Sequence, residues 1–179
     1  MSDLIIELTQ IERTDISDIK NIVYGFKDLL DHNDFCNFDM NDWIEHIAQN
    51  EKFTFAIRAR KSDDIKNYLV GICGLWKIDW VARHAKIIFA MVDKDGHKNT
   101  LQPHAASFAA FKRLLNQAFN ILNLNKVWIE VLEENDIKPA LEKTGFLVEG
   151  IRRFHIFKNG RRQHTIIFSL TSKEFIEEK

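Results

Sequence analysis

Apolar positions along the chain change their period several times, and each change marks an element. Leu4 to Leu8 is a short apolar run that predicts a first strand. From Ile16 the spacing turns helical, with Ile19, Val23, Phe26 and Leu30 following at three and four residues, and Thr14 to Asp18 supply side chains suited to cap the start. A polar turn at Asp31 to Asp34 ends that helix, and Asp39 can cap a second one whose buried stripe is Trp43, Ile44 and Ile47. Period two then takes over. Lys52 to Arg60 alternates Phe53, Phe55 and Ile57 against polar neighbours, and Tyr68 to Ile78 reads as its antiparallel partner, with Gly71 and Gly74 marking a bulge or a close backbone approach.

Ala85 to Val92, after the polar turn Asp79 to Arg83, predicts a buried strand. Phe108, Phe111, Leu115, Ala118 and Leu122 then give a helical stripe, with Lys112, Arg113, Asn116, Gln117 and Asn120 on the other side. Pro103 suits the first helical position, where its missing N–H costs nothing. The loop between strand and helix thus delivers a helix N-terminus, with its unpaired amides and positive dipole end, beside the end of a strand. Lys126 to Leu132 is the next strand, with Val127, Ile129 and Val131 on one face and Trp128, Glu130 and Leu132 on the other. A short helix around Lys138 to Lys143 ends at Gly145, and Leu147 to Phe157 and Gln163 to Leu170 form a hairpin across Lys158, Asn159 and Gly160.

Composition narrows the class without naming it. The chain has 179 residues, 45% hydrophobic and 28% charged, with net charge −1, which suits one domain over 1–179 with a substantial core. No apolar run approaches the roughly 20 residues of a membrane span, and the first ten residues lack the pattern of a signal peptide, so a cytoplasmic protein is expected, without a membrane partner. Cys36 and Cys73 are isolated and read as buried thiols. His97 and His104 have no partner at metal-ligand spacing, so no metal is expected. Arg152, Arg153, Lys158, Arg161 and Arg162 make the last hairpin basic, yet near-neutral net charge argues against general nucleic-acid binding.

The segment from Gln102 to Phe119, QPHAASFAAFKRLLNQAF, resembles the pyrophosphate loop and following helix of the GNAT acetyltransferases, with Gln102 at the first loop position and Ala105 and Ser107 where the family has glycines. LNLNKVWIEVLEEN, LEKTGF, LVEGIRR and IFKNGRRQHTIIFSL are similar to segments of the branch that acetylates ribosomal-protein N-termini and small amines, including amino sugars. The order strand, two helices, three strands, helix, strand, helix, two strands is that of the GNAT fold. The resemblance implies an α+β (α/β) architecture, a central mixed, mostly antiparallel seven-stranded sheet with helices on both faces. It also implies acetyl-CoA as co-substrate, bound by backbone near Ala90, Met91 and Val92, by Gln102, His104, Ala105, Ala106 and Ser107, and by Asn135, which matches the asparagine that contacts the pantetheine arm.

An amine attacks a thioester only when neutral, and with a pKa near ~10 it needs a group to take its proton. Glu130 in IEVLEEN matches by position the glutamate that serves as base in the ribosomal-protein alanine acetyltransferases; on residue type alone it reads equally as a strand-surface glutamate paired with a lysine. Asn135 reads equally as a helix cap. The family's thiolate-protonating tyrosine is replaced by Leu141, and Tyr24 and Tyr68, the chain's two tyrosines, match no family position. His32, Asp79, Trp80 and Arg83 are the candidates for binding an acceptor amine, a small molecule or a peptide, with Trp80 also suited to packing. Two readings follow: an acetyl-CoA-dependent N-acetyltransferase, or a GNAT-fold binding module without catalysis. A homodimer is left open.

Overall fold

The computed structural model describes residues 4–19, 53–63, 65–91, 103–134, 137–158 and 160–175. Seven strands are present: β1 Leu4–Gln10, β2 Thr54–Lys61, β3 Tyr68–Asp79, β4 His84–Met91, β5 Lys126–Leu132, β6 Leu147–Lys158 and β7 Arg161–Thr171. They make one sheet in the order β1-β2-β3-β4-β5-β7-β6, antiparallel at every junction except β4 against β5. The mixed, mostly antiparallel seven-stranded sheet expected from the sequence is what forms. Helix α1 spans Pro103–Asn116 and α2 spans Lys138–Lys143. Beyond Ile19, the two helices expected after the first strand lie outside the described residues.

One face of the sheet and the inner face of α1 share a core. Ile57, Cys73, Leu75, Ile87, Val127, Ile129, Phe168 and Leu170 meet Ala110, Phe111, Leu114, Leu115 and Ala118 there, all buried. Phe111 anchors the contact: its ring stacks on Phe89 at 4.5 Å and meets Phe146 edge-on at 5.9 Å. Burial of such a ring is worth about 1.5–3 kcal/mol. The polar side of α1 faces out, with Arg113 and Asn116 exposed. The helix then widens into one π-type turn over Gln117–Ile121, where the Leu122 amide donates to the Gln117 carbonyl at 2.9 Å. Asn123, at φ 54, turns the chain back toward β5, and asparagine tolerates that left-handed conformation better than most residues.

The first helical start opens as a 3-10 turn over Arg13–Asp15, and within the expected capping run Thr14 to Asp18 it is the Asp15 carboxylate that accepts a backbone amide, from Glu12 at 2.8 Å. Asp15 is buried because Arg58 of β2 reaches it at 2.8 Å, and a carboxylate removed from water needs such a partner. Cys73 is fully buried, and burial pushes its thiol up; Cys36 lies outside the described residues.

The two strand glycines have the role expected of them. A Cβ on Gly71 would overlap the Ala90 carbonyl oxygen, and one on Gly74 would sit 2.8 Å from the Phe53 carbonyl oxygen. Opposite Gly71 the β2–β3 register slips between Ile57 and Arg58, leaving Val70 as the extra residue. Gly71→Ala is therefore expected to force β3 away from the end of β4 and to lower stability by about 1–3 kcal/mol. A urea midpoint unchanged from the parent would show that β3 and β4 separate at no cost.

Candidate active site

β4 and β5 are parallel neighbours over three residue pairs only: His84 with Lys126, Ala85 with Val127 and Lys86 with Trp128. Beyond these, β4 runs on to Met91 and β5 to Leu132 with no ladder between them. Each is held on its outer side instead, β4 by β3 through Met91 and β5 by β7 through Leu132. The sheet therefore opens into a wedge. Its closed end is clamped by Arg83, whose carbonyl accepts from the amides of Asn125 at 2.6 Å and Lys126 at 3.2 Å, while its Nε donates to the Asn123 carbonyl at 2.7 Å. At the last rung the Lys86 ammonium lies 5.6 Å from the Trp128 ring centre.

α1 returns from the open end to the closed end, because its C-terminal turn leads directly into β5. Fourteen residues at about 1.5 Å each place its N-terminus roughly 21 Å back along the wedge. Pro103 has no N–H, so the amides of His104, Ala105 and Ala106 are those that lack an acceptor within the helix. They are the donors an anion at this end would meet.

Glu130 projects from β5 on the sheet face opposite α1. Its side chain is only 6% exposed, and both oxygens are engaged: Oε2 accepts from Arg152 Nη1 at 3.0 Å and Oε1 from the Thr165 hydroxyl, with His155 Nε2 at 3.8 Å. The reading of Glu130 as a surface glutamate paired with a lysine is corrected here. Lys126, the lysine on its own strand, pairs instead with Glu149 of β6, across the intervening β7.

Ala90 and Met91 end β4 at the mouth of the wedge, Ala90 buried and Met91 half-buried. Of His104, Ala105, Ala106 and Ser107 the backbone is described, inside the first turns of α1. Val92, Gln102, Asn135 and His32 lie outside the described residues. Asp79, Trp80 and Arg83 come together at the β3–β4 turn, at the closed end, and not beside Glu130, which is four residues or roughly 13 Å further along β5. Each has a local partner: Asp79 Oδ1 accepts from the amides of Val81 at 2.8 Å and Ala82 at 2.7 Å, Trp80 meets the Phe53 ring at 6.2 Å, and Arg83 forms the clamp. Leu141, at the family's tyrosine position, is fully buried in the core.

Three residues beside Glu130 are missed as a site by sequence reasoning: Arg152, His155 and Thr165. Alternation along β7 would have put Gln163 and Thr165 on one face, since they are two apart. Arg152 and His155 carry no such signal, because β6 slips register twice, between Val148 and Gly150 and between Arg152 and Ile156.

A mixed sheet opened at its one parallel junction, with a helix N-terminus beyond the opening, is the GNAT fold. The solved structures agree: mutant forms of the spermidine/spermine N-acetyltransferase of Vibrio cholerae match with a TM-score of 0.68 at 20% identity, covering 94% of each chain. The spermidine N-acetyltransferase of the same organism, in complex with CoA and spermine, matches with a TM-score of 0.68 at 21% identity, over 94% of this chain and 96% of that one. A family profile for the acetyltransferase (GNAT) domain matches residues 8–167, and the chain belongs to that family. Among curated relatives, the spermidine N(1)-acetyltransferase of Vibrio cholerae is 30% identical over 120 residues, 66% of this chain. The match spans 63% of that relative, just under two thirds of its length. Among the described residues no helix is long and apolar enough to cross a membrane.

The turn at Asp79 gives a pH test of the closed end. The amide of Ala82, then that of Val81 and the charge of His84, hold the Asp79 carboxyl below the usual carboxylate range. A depressed folded-state pKa means its contribution is present above the unfolded value near ~3.9 and is lost as pH falls through the lower folded value. Asp79→Ala should lower Tm at pH 7, with the gap to the parent closing as the pH drops below about 4. A gap that stays constant across that range would show that the carboxylate does not hold the turn.

Proposed function

We propose that the chain transfers an acetyl group from acetyl-CoA to a primary amine by direct attack, with Glu130 as the proton acceptor. The observation that carries this is the position of Glu130: a shielded carboxylate on the one strand that borders the wedge and also faces the last hairpin. Acetyl-CoA supplies an activated thioester. The wedge between β4 and β5 offers backbone polar groups along an extended chain, and the amides of His104, Ala105 and Ala106 suit a pyrophosphate. The donors present thus fit the group.

The residues divide the work by geometry. Backbone N–H groups near Ala90 and Met91, at the end of β4, would polarise the thioester carbonyl, whose oxygen gains charge as the amine adds. Glu130 takes the proton from the attacking nitrogen, directly or through one water. A carboxylate has about four acceptor sites, and Arg152 and Thr165 occupy two, so capacity remains. Water protonates the departing thiolate, since Leu141 carries no proton and is sealed in the core. The acceptor is a small amine, an amino sugar or a protein N-terminus. Asp79, Trp80 and Arg83 enter this reading as the frame of the closed end, with acceptor contact confined to any part that Trp80, 57% exposed, supplies.

Two observations favour a second reading, a GNAT-fold binding module without catalysis: Ala105 and Ser107 stand where the family has glycine, and the general-acid position is a core leucine. Calorimetric titration with acetyl-CoA separates the two. Micromolar binding supports the enzyme; no binding up to millimolar in a folded sample supports the module. Given binding, Glu130→Gln should cut kcat by about 10²–10⁴ while leaving acetyl-CoA affinity unchanged, and full turnover in that variant would place the base elsewhere.

A further inference from the structure

Arg152 and His155 flank Glu130 with chemistry that the transfer of an acetyl group does not itself require. Resting on the enzyme reading above, we infer that the acceptor amine carries an anionic group, a carboxylate or a phosphate, which Arg152 and His155 recognise while Glu130 receives the amine.

Register puts these side chains on one face. Glu130 is opposite Ile167, Leu132 is opposite Thr165, and Thr165 is opposite Arg152, so Arg152 and Thr165 share the face of Glu130. Gln163, two residues before Thr165, shares it too. The Gln163 Oε1 atom is shielded from solvent and has no hydrogen-bond partner among the described residues.

His155 reaches the group only because β6 is coiled. Between the pairs Arg152–Thr165 and Ile156–Gln163, β6 spends three residues, Arg153, Phe154 and His155, against the single His164. Phe154 takes φ 51, its amide donates to His164 Nδ1 at 3.1 Å, and the two rings lie 4.6 Å apart. In an unbulged strand His155, three residues from Arg152, would face the other side. Here its Nε2 lies 3.4 Å from Arg152 Nη1 and 3.8 Å from Glu130 Oε1.

The charge balance points the same way. A guanidinium has five N–H donors in a fixed fork, and Arg152 spends Nη1 on Glu130 while its side chain stays 46% exposed. The remaining donors match the planar oxygens of a carboxylate or phosphate. From Leu147 to Thr171 the hairpin carries five cations, Arg152, Arg153, Lys158, Arg161 and Arg162, against one carboxylate, Glu149, which is already paired with Lys126. A polycation approaching Glu130 along this hairpin meets like charge; an anion-bearing amine meets opposite charge.

The test compares acceptors of matched skeleton, ethanolamine, O-phosphoethanolamine and β-alanine, with spermidine as the polycation, by release of free CoA thiol at low salt. One of the two anionic amines should exceed ethanolamine and spermidine in kcat/KM by about tenfold or more, and which one leads tells phosphate from carboxylate. That advantage should shrink as salt rises. In Arg152→Gln the ratio of anionic to neutral acceptor should collapse toward one, and Arg152→Lys should restore part of it. Spermidine or ethanolamine in the lead, or a ratio untouched by Arg152→Gln, overturns this inference and leaves the enzyme standing. Failure of acetyl-CoA to bind overturns both.

Discussion

The short parallel ladder between β4 and β5 is the constraint on which the rest depends. Parallel strands need a crossover, and α1 is that crossover, so its direction and its seat on the sheet follow from the pairing. Three rungs and the Arg83 clamp hold one end shut, while β3 and β7 carry the outer edges of the two strands apart. An opening in a sheet leaves polar backbone without ladder partners, which is costly unless something else satisfies it. A bound extended molecule would do so, which is why the proposed site is built on the opening.

Much of this was legible in the sequence, because it rests on short-range periodicity. Tyr68 to Ile78 and Lys126 to Leu132 differ from the observed strands by no more than a residue, and Phe111, Leu115 and Ala118 of the helical stripe are buried in the core, while Phe108 is half-buried beneath Lys112 and Lys143. Gly71 and Gly74 announced a close approach before the neighbour was known, since a missing Cβ is itself a local signal.

What was not legible depends on contacts between distant residues. Asp15 looked like a cap, and its partner Arg58 is 43 residues away. Glu130 stands out in the sequence by its match to the family's glutamate, but its surroundings come from β6 and β7, whose register includes slips no hydropathy pattern records. Asp79 had a plausible chemistry, yet two amides within three residues already use its carboxylate. Residue type indicates what a side chain can do; only the assembled sheet shows what it has left to do it with.

Cys73 stands at the centre of β3, fully buried, with a thiol that burial makes harder to ionise. Thiol reagents attack the thiolate, so in the intact sheet this sulfur is chemically silent. It becomes reactive when β3 loses its neighbours. The molecule thus carries a built-in timer for opening of its sheet interior, read by the rate at which one native atom is alkylated, with no engineered label.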